Sequence, residues 1–106
     1  MRVIKALCEE DGDTYPGKLV QSLGGVGRNH AEALSRLGTK IRFVSTVGED
    51  IHGRILMERC RHMNLSGLRI IKGASTAIYN GISMGRKLKY GISDFEIVSR
   101  ITPEIV

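Results

Sequence analysis

The spacing of apolar and polar positions divides the chain into short segments whose period switches between that of a strand and that of a helix. After the turn signal Pro16-Gly17, residues 18–23 mix apolar and polar positions as a short strand does. Over residues 28–37, Ala33 and Leu37 stand four apart and Leu34 and Leu37 three apart. That spacing predicts a helix with a narrow apolar stripe, closed by Gly38 as a C-terminal cap. Residues 41–47 (Ile-Arg-Phe-Val-Ser-Thr-Val) are rich in β-branched and aromatic side chains and predict a largely buried strand bounded by Gly48. Asp50 is placed to cap a second helix running to about Met63, with Ile51, Ile55, Leu56, Cys60 and Met63 on one face and Asn64 at its end. A further strand follows at residues 68–71. The order strand, helix, strand, helix, strand predicts an α/β layered fold.

The pattern then changes. Residues 76–84 and 88–92 read as two strands joined by a turn at Gly85-Arg86-Lys87, with no room for a crossover helix, and so as a hairpin. Appended to an α/β unit, it is either a flap over a site or an antiparallel edge of the main sheet. At the other end, residues 1–15 run from an apolar and basic start into Glu9-Glu10-Asp11-Gly12-Asp13 and read as a tail or loop. Residues 16–106 are expected to form one unit. Thr102-Pro103-Glu104 carries a helix-start signature of hydroxyl cap, Pro at the first helical position and an acid near the positive end of the dipole. Because Val106 follows so closely, the expectation is a chain truncated at its C-terminus.

With 42% hydrophobic and 25% charged residues the balance is that of a globular protein. A chain of this size buries only about two-thirds of its unfolded surface, so marginal stability and a missing partner surface are expected. The formal net charge of +5 favours anionic partners without specifying one. Its carriers are scattered, and the Arg86-Lys87-Leu88-Lys89 run falls on the expected hairpin turn, where exposed charge is ordinary. With two Phe, three Tyr, no Trp and no basic stripe interleaved with aromatics, nucleic acid is not the expected partner. Cys8 and Cys60 form no disulfide framework, which suits a reducing, cytoplasmic compartment. Cys60 and His62 are two apart with no second pair to complete a zinc site, so no metal centre is expected and Cys60 reads as a buried apolar residue beside a surface His. No apolar stretch is long enough to span a membrane.

The glycine cluster is the strongest local signal, because residues without a Cβ let backbone approach a ligand at a helix N-terminus. It is neither a dinucleotide fingerprint, since His30 takes the sixth position counted from Gly25, nor a Walker loop, since no Gly-Lys-Ser or Gly-Lys-Thr is present. What remains is Gly24-Gly25 ahead of a helix whose first turn carries Asn29, an amide able to donate and accept. That combination suits polyol hydroxyls, and it equally suits a glycine-rich turn whose Asn serves the backbone. Gly48-Glu49-Asp50-Ile51-His52-Gly53 taken alone reads as a capped turn.

Gly24-Gly25-Val26-Gly27-Arg28-Asn29-His30-Ala31, Leu34-Ser35-Arg36-Leu37-Gly38 and Val47-Gly48-Glu49-Asp50-Ile51-His52-Gly53, in that order and spacing, resemble the N-terminal signature region of PfkB (ribokinase-like) carbohydrate kinases. Thr76-Ala77 opening a hairpin fits the same family, and residues 24–29 with Ile101-Thr102-Pro103 look closest to its pseudouridine kinase branch. The resemblance implies a partial ribokinase-like, Rossmann-like three-layer α/β fold with a hairpin lid. It implies that Gly24, Gly25 and Asn29 contact substrate hydroxyls, that Gly48, Asp50 and Gly53 shape the turn below, and that Tyr79 faces the substrate from the lid. In the intact family ATP and Mg²⁺ serve phosphoryl transfer to a sugar hydroxyl. The family's catalytic Asp lies in a glycine-rich motif beyond residue 106, so no catalytic residue and no strong ATP or Mg²⁺ binding are expected of this chain. Residues 1–15 show no counterpart of the family's opening strand. The implied role is the substrate-binding part of a sugar or nucleoside kinase, inactive alone. Its alternative is a non-catalytic interaction module dimerising through the lid or an exposed sheet edge.

Overall fold

A computed structural model describes residues 12–105. In chain order these form helix α1 (Val26–Arg36), strand β1 (Val44–Gly48), helix α2 (Ile51–Arg59), strand β2 (Gly67–Ile71), strands β3 (Ile78–Met84) and β4 (Lys87–Asp94), and 3₁₀ turns at Glu96–Arg100 and Pro103–Ile105. β1 and β2 are parallel, with Val44 opposite Gly67 and Gly48 opposite Ile71, and α2 is their crossover. β3 and β4 are antiparallel neighbours in a separate two-stranded sheet. The partial α/β architecture and the appended hairpin are those expected from the sequence.

Each helix end has a local cause. α1 stops because Gly38 adopts φ +81°, which lets the Thr39 amide reach the Leu34 carbonyl at 3.0 Å and the Gly38 amide reach that of Ser35 at 3.1 Å. This is the paired closure of a glycine-terminated helix. α2 starts at Asp50, whose Oδ1 accepts from the Gly53 amide at 2.8 Å. It ends at Arg59 rather than Met63, because beyond Cys60 the chain tightens into a turn in which the Met63 amide donates to the Cys60 carbonyl at 2.9 Å. Of the face expected to pack, Cys60 and Met63 are buried and Ile55 and Leu56 partly so, whereas Ile51 in the first turn is exposed.

The core is small. Ala31, Cys60 and Met63 are buried together, with Leu23, Ile41, Phe43, Leu56 and Leu65 packed around them. Val47 on β1 and Ile97 in the first 3₁₀ turn are each almost wholly buried, and the Thr46 hydroxyl donates to the Ile97 carbonyl at 3.0 Å, pinning the chain after the hairpin back onto β1. Burying a side chain such as Ile97 contributes roughly 1.5–3 kcal/mol.

Three expectations need correction. Residues 18–23 form no strand, and Leu19 and Val20 are fully exposed; a strand requires a neighbouring edge, and none lies beside this segment among the described residues. The strand expected at residues 41–47 begins only at Val44, the Phe43 amide bonding instead to the Asn64 carbonyl at 3.1 Å. The apolar stripe of α1 faces outward, with Leu37 80% exposed and Leu34 also exposed, while Ala31 makes the inward contact. The radius of gyration is 17.3 Å, against about 13 Å for a self-contained domain of this length. Much apolar surface is therefore left without a partner among the described residues.

Candidate functional site

Gly24, Gly25 and Asn29 lie together where the chain enters α1. Gly25 is the N-cap at φ +94° and ψ 127°, a conformation that a side chain would strain. Its carbonyl accepts from the Asn29 amide at 2.9 Å, closing the first helical turn. The amides ahead of Asn29 have no intrahelical acceptor, and no side chain caps them. A Cβ at Gly24 or Gly27 would meet nothing within 4 Å, so this turn is open to its surroundings. Asn29 is exposed.

Arg28 is the residue that sequence reasoning overlooked here. Its Nε donates to the Gly24 carbonyl at 3.0 Å, and its Nη2 reaches the Leu23 carbonyl at 3.5 Å and Asn29 Oδ1. The guanidinium thus wraps the glycine turn and engages the amide oxygen of Asn29. An Arg one position before Asn was visible in the sequence, but its direction depends on the turn geometry that Gly25 creates.

Tyr79 stands on β3, and no hydrogen bond joins the hairpin to α1 among the described residues. Its ring lies over the paired glycines of the hairpin: a Cβ at Gly91 would come within 2.3 Å of Tyr79 Oη, and one at Gly81 within 3.3 Å of its ring. The residue is 55% exposed. Opposite Ile82 and Ser83 the register slips, so that Lys89 has no partner in β3. Such a bulge bends and twists the ribbon.

Gly48, Asp50 and Gly53 converge with Thr76 into a tight polar cluster. Asp50 Oδ1 accepts from the Gly53 amide at 2.8 Å and from the Thr76 hydroxyl at 2.6 Å, while Oδ2 accepts from the Thr76 amide at 2.9 Å. The same hydroxyl accepts from the Gly48 amide at 2.8 Å. A Cβ on Gly48 would lie 2.2 Å from the Ala74 carbonyl, and one on Gly53 would lie 2.4 Å from the Gly48 carbonyl, so both positions exclude a side chain. Burial pushes the Asp50 carboxyl up, but the hydrogen bonds from Thr76 and Gly53 outweigh it and leave the group below its ordinary value. Asp50 was legible as a cap. Its second bond set, to a residue 26 positions later, carried no local signal.

α1 is tied to the rest of the fold at its far end. Glu32 on α1 meets His62 Nε2 at 2.5 Å and Arg36 at 2.8 Å. The His62 ring and the Arg36 guanidinium hold the Glu32 carboxyl below its usual range. Two shallow depressions flank this region, one of about 440 Å³ lined by Met57 and Met63 among others, the other of about 320 Å³ beside Gly38 and His62. Neither includes Gly24, Gly25, Asn29 or Tyr79. Among the described residues no group of His, Cys, Asp and Glu is arranged to hold a metal ion, and no helix is long and apolar enough to cross a membrane.

The chain is similar to known proteins over most of its length. It is 33% identical over 96 residues to the uncharacterized sugar kinase YeiI of Escherichia coli strain K12, covering 88% of this chain and 26% of that protein. It is 36% identical over 99 residues to the pseudouridine kinase of the same organism, covering 87% of this chain and 30% of that one. A crystal structure of a Clostridium perfringens protein described as a sugar kinase superposes with a TM-score of 0.80 at 28% identity, over 90% of this chain and 31% of the other. The chain thus spans about a quarter to a third of the length of these relatives. The model of the pfkB family of carbohydrate kinases matches residues 1–85, a match that includes the glycine turn and the Gly48, Asp50, Gly53 and Thr76 cluster, and the chain belongs to that family.

Proposed function

We propose that this chain is the substrate-side portion of an ATP-dependent sugar or nucleoside kinase, with Gly24, Gly25 and Asn29 holding hydroxyls of the acceptor. The observation that carries this reading is the α1 entrance, where Gly25 at positive φ opens the turn and uncapped amides stand beside an exposed Asn29 in a member of a carbohydrate kinase family. Amide donors and a side-chain carboxamide provide the directional partners that a polyol requires, at a place where no Cβ blocks approach. The pseudouridine kinase among its relatives makes a pyrimidine nucleoside a sensible first ligand. Tyr79 would add a contact from the hairpin.

Phosphoryl transfer by such a kinase depends on positioning the hydroxyl, on Mg²⁺ with bound ATP, and on an Asp to take the proton. The 106 residues contain no Gly-x-Gly-Asp sequence to supply that base, so the isolated chain contributes positioning without transfer. Purified chain incubated with labelled ATP, Mg²⁺ and pseudouridine or ribose is expected to form no phosphorylated product. Calorimetric titration with pseudouridine is expected to give binding that N29A weakens. Product above a blank would refute the inactivity, and equal binding by N29A would refute the assignment of Asn29.

A further inference from the structure

On the side where the chain enters β3, Thr76 anchors the hairpin to the α/β layer. Two residues before β3, Thr76 is buried and uses both its amide and its hydroxyl: both donate to Asp50, and the hydroxyl also accepts from the amide of Gly48, the last residue of β1. Asp50 in turn is fixed by the Gly53 amide at the start of α2. Three elements, the end of β1, the start of α2 and the root of the hairpin, therefore meet on one hydroxyl and one carboxylate. The close approach of Ala74 to Gly48 keeps this junction free of side chains that would pry it open. The strands beyond the junction are exposed along most of their length, so their direction is set at the two roots: at Thr76 before β3 and, after β4, at buried Ile97, whose carbonyl accepts from Thr46.

We propose that Thr76 is a positioning residue: by bridging Asp50 and the Gly48 amide it sets the angle at which the hairpin, and Tyr79 upon it, stands relative to the α/β layer. The inference rests on the reading of the chain as a substrate-side unit only where Tyr79 is concerned; the clamp itself is a property of the fold. A hydroxyl that donates and accepts at once cannot be replaced by an isosteric methyl without leaving a buried amide and a carboxylate oxygen short of partners. Ser keeps both bonds.

Residual dipolar couplings of the labelled 106-residue chain, without ligand, report the hairpin's orientation directly. In T76V the couplings of β1, β2 and α2 should be retained while those of β3 and β4 shrink or reorient, and T76S should restore the wild-type values. Hairpin couplings in T76V equal to the wild type would overturn the proposal. Should T76V fail to fold, hydrogen exchange in the wild type decides: the amides of Gly48 and Thr76 should open together with equal protection, and unequal protection would overturn the clamp. With pseudouridine added, the Tyr79 amide should respond in wild type and T76S and not in T76V, while residues 24–29 respond in all three. A wild-type chain that shows no response anywhere would reject the substrate reading, and the couplings would still judge the clamp.

Discussion

Replacing Gly53 by Ala and Gly27 by Ala makes the same chemical change in two helices, and the structure predicts opposite signs. Ala in a helix interior is favoured over Gly by about 0.8–1 kcal/mol. At Gly27 nothing lies within 4 Å of the added Cβ, so G27A should stabilise the chain by a few tenths up to about 1 kcal/mol, the lower end applying because the residue sits in the first turn. At Gly53 the Cβ would come within 2.4 Å of the Gly48 carbonyl and 3.0 Å of the Thr76 hydroxyl. The nearest atom is backbone and cannot swing aside. Overpacking costs roughly 1–3 kcal/mol, and shifting the Gly53 amide off Asp50 forfeits part of a charged hydrogen bond, typically about 1.5–3 kcal/mol. These costs exceed the propensity gain, and G53A should destabilise by about 1–3 kcal/mol. Urea unfolding followed by circular dichroism at constant slope measures both variants. A G53A chain as stable as the wild type would refute the view that this junction is closed to side chains, and a destabilised G27A would refute the openness of the α1 entrance.

Other consequences follow from the same contacts. Asp50 has a lowered carboxyl in the folded chain, so the stability it contributes is complete above about pH 4 and drains as pH falls through the folded value; D50N should be less stable at neutral pH and show a flatter acid limb in pH-dependent unfolding. Replacing exposed Asn29 by Ala should change stability by no more than about 0.5 kcal/mol, so that any loss of ligand response in N29A reports contact rather than folding. The Glu32 and His62 pair is half-exposed, so E32Q should lower the urea midpoint only slightly, an effect that shrinks in high salt. In G91A the Tyr79 ring must move off the hairpin, but it is the far end of a rotatable side chain, so its ring resonances should shift while stability falls by less than about 1 kcal/mol.

The features legible in the sequence were those with local causes. Gly38 had to follow α1 because its closure needs a residue at positive φ, Asp50 could cap α2 because its side-chain oxygen lies within reach of the amide three residues on, and the β3–β4 ribbon followed from a short turn opened by Gly85 at φ +59°. What depended on distant chain was not legible. Residues 18–23 have strand-like composition, yet strand formation is decided by an available edge. Leu34 and Leu37 form an apolar stripe, but which face of α1 packs was decided by Cys60 and Met63, which leave room for the small side chain of Ala31. The bonds between Asp50 and Thr76 join residues 26 apart and follow from tertiary placement alone. The glycine turn was legible as a place where backbone is exposed, whereas the wrap of Arg28 over Gly24 and Leu23 depended on the conformation of Gly25.

Amide chemical-shift mapping of the labelled chain during titration with pseudouridine, and separately with ribose, addresses the acceptor-holding role most directly. Saturable shifts centred on Gly24, Gly25 and Asn29, and absent from these positions in N29A, are the predicted result. Shifts confined to the depression beside Met57 and Met63, or no saturable shift with either ligand, would contradict it.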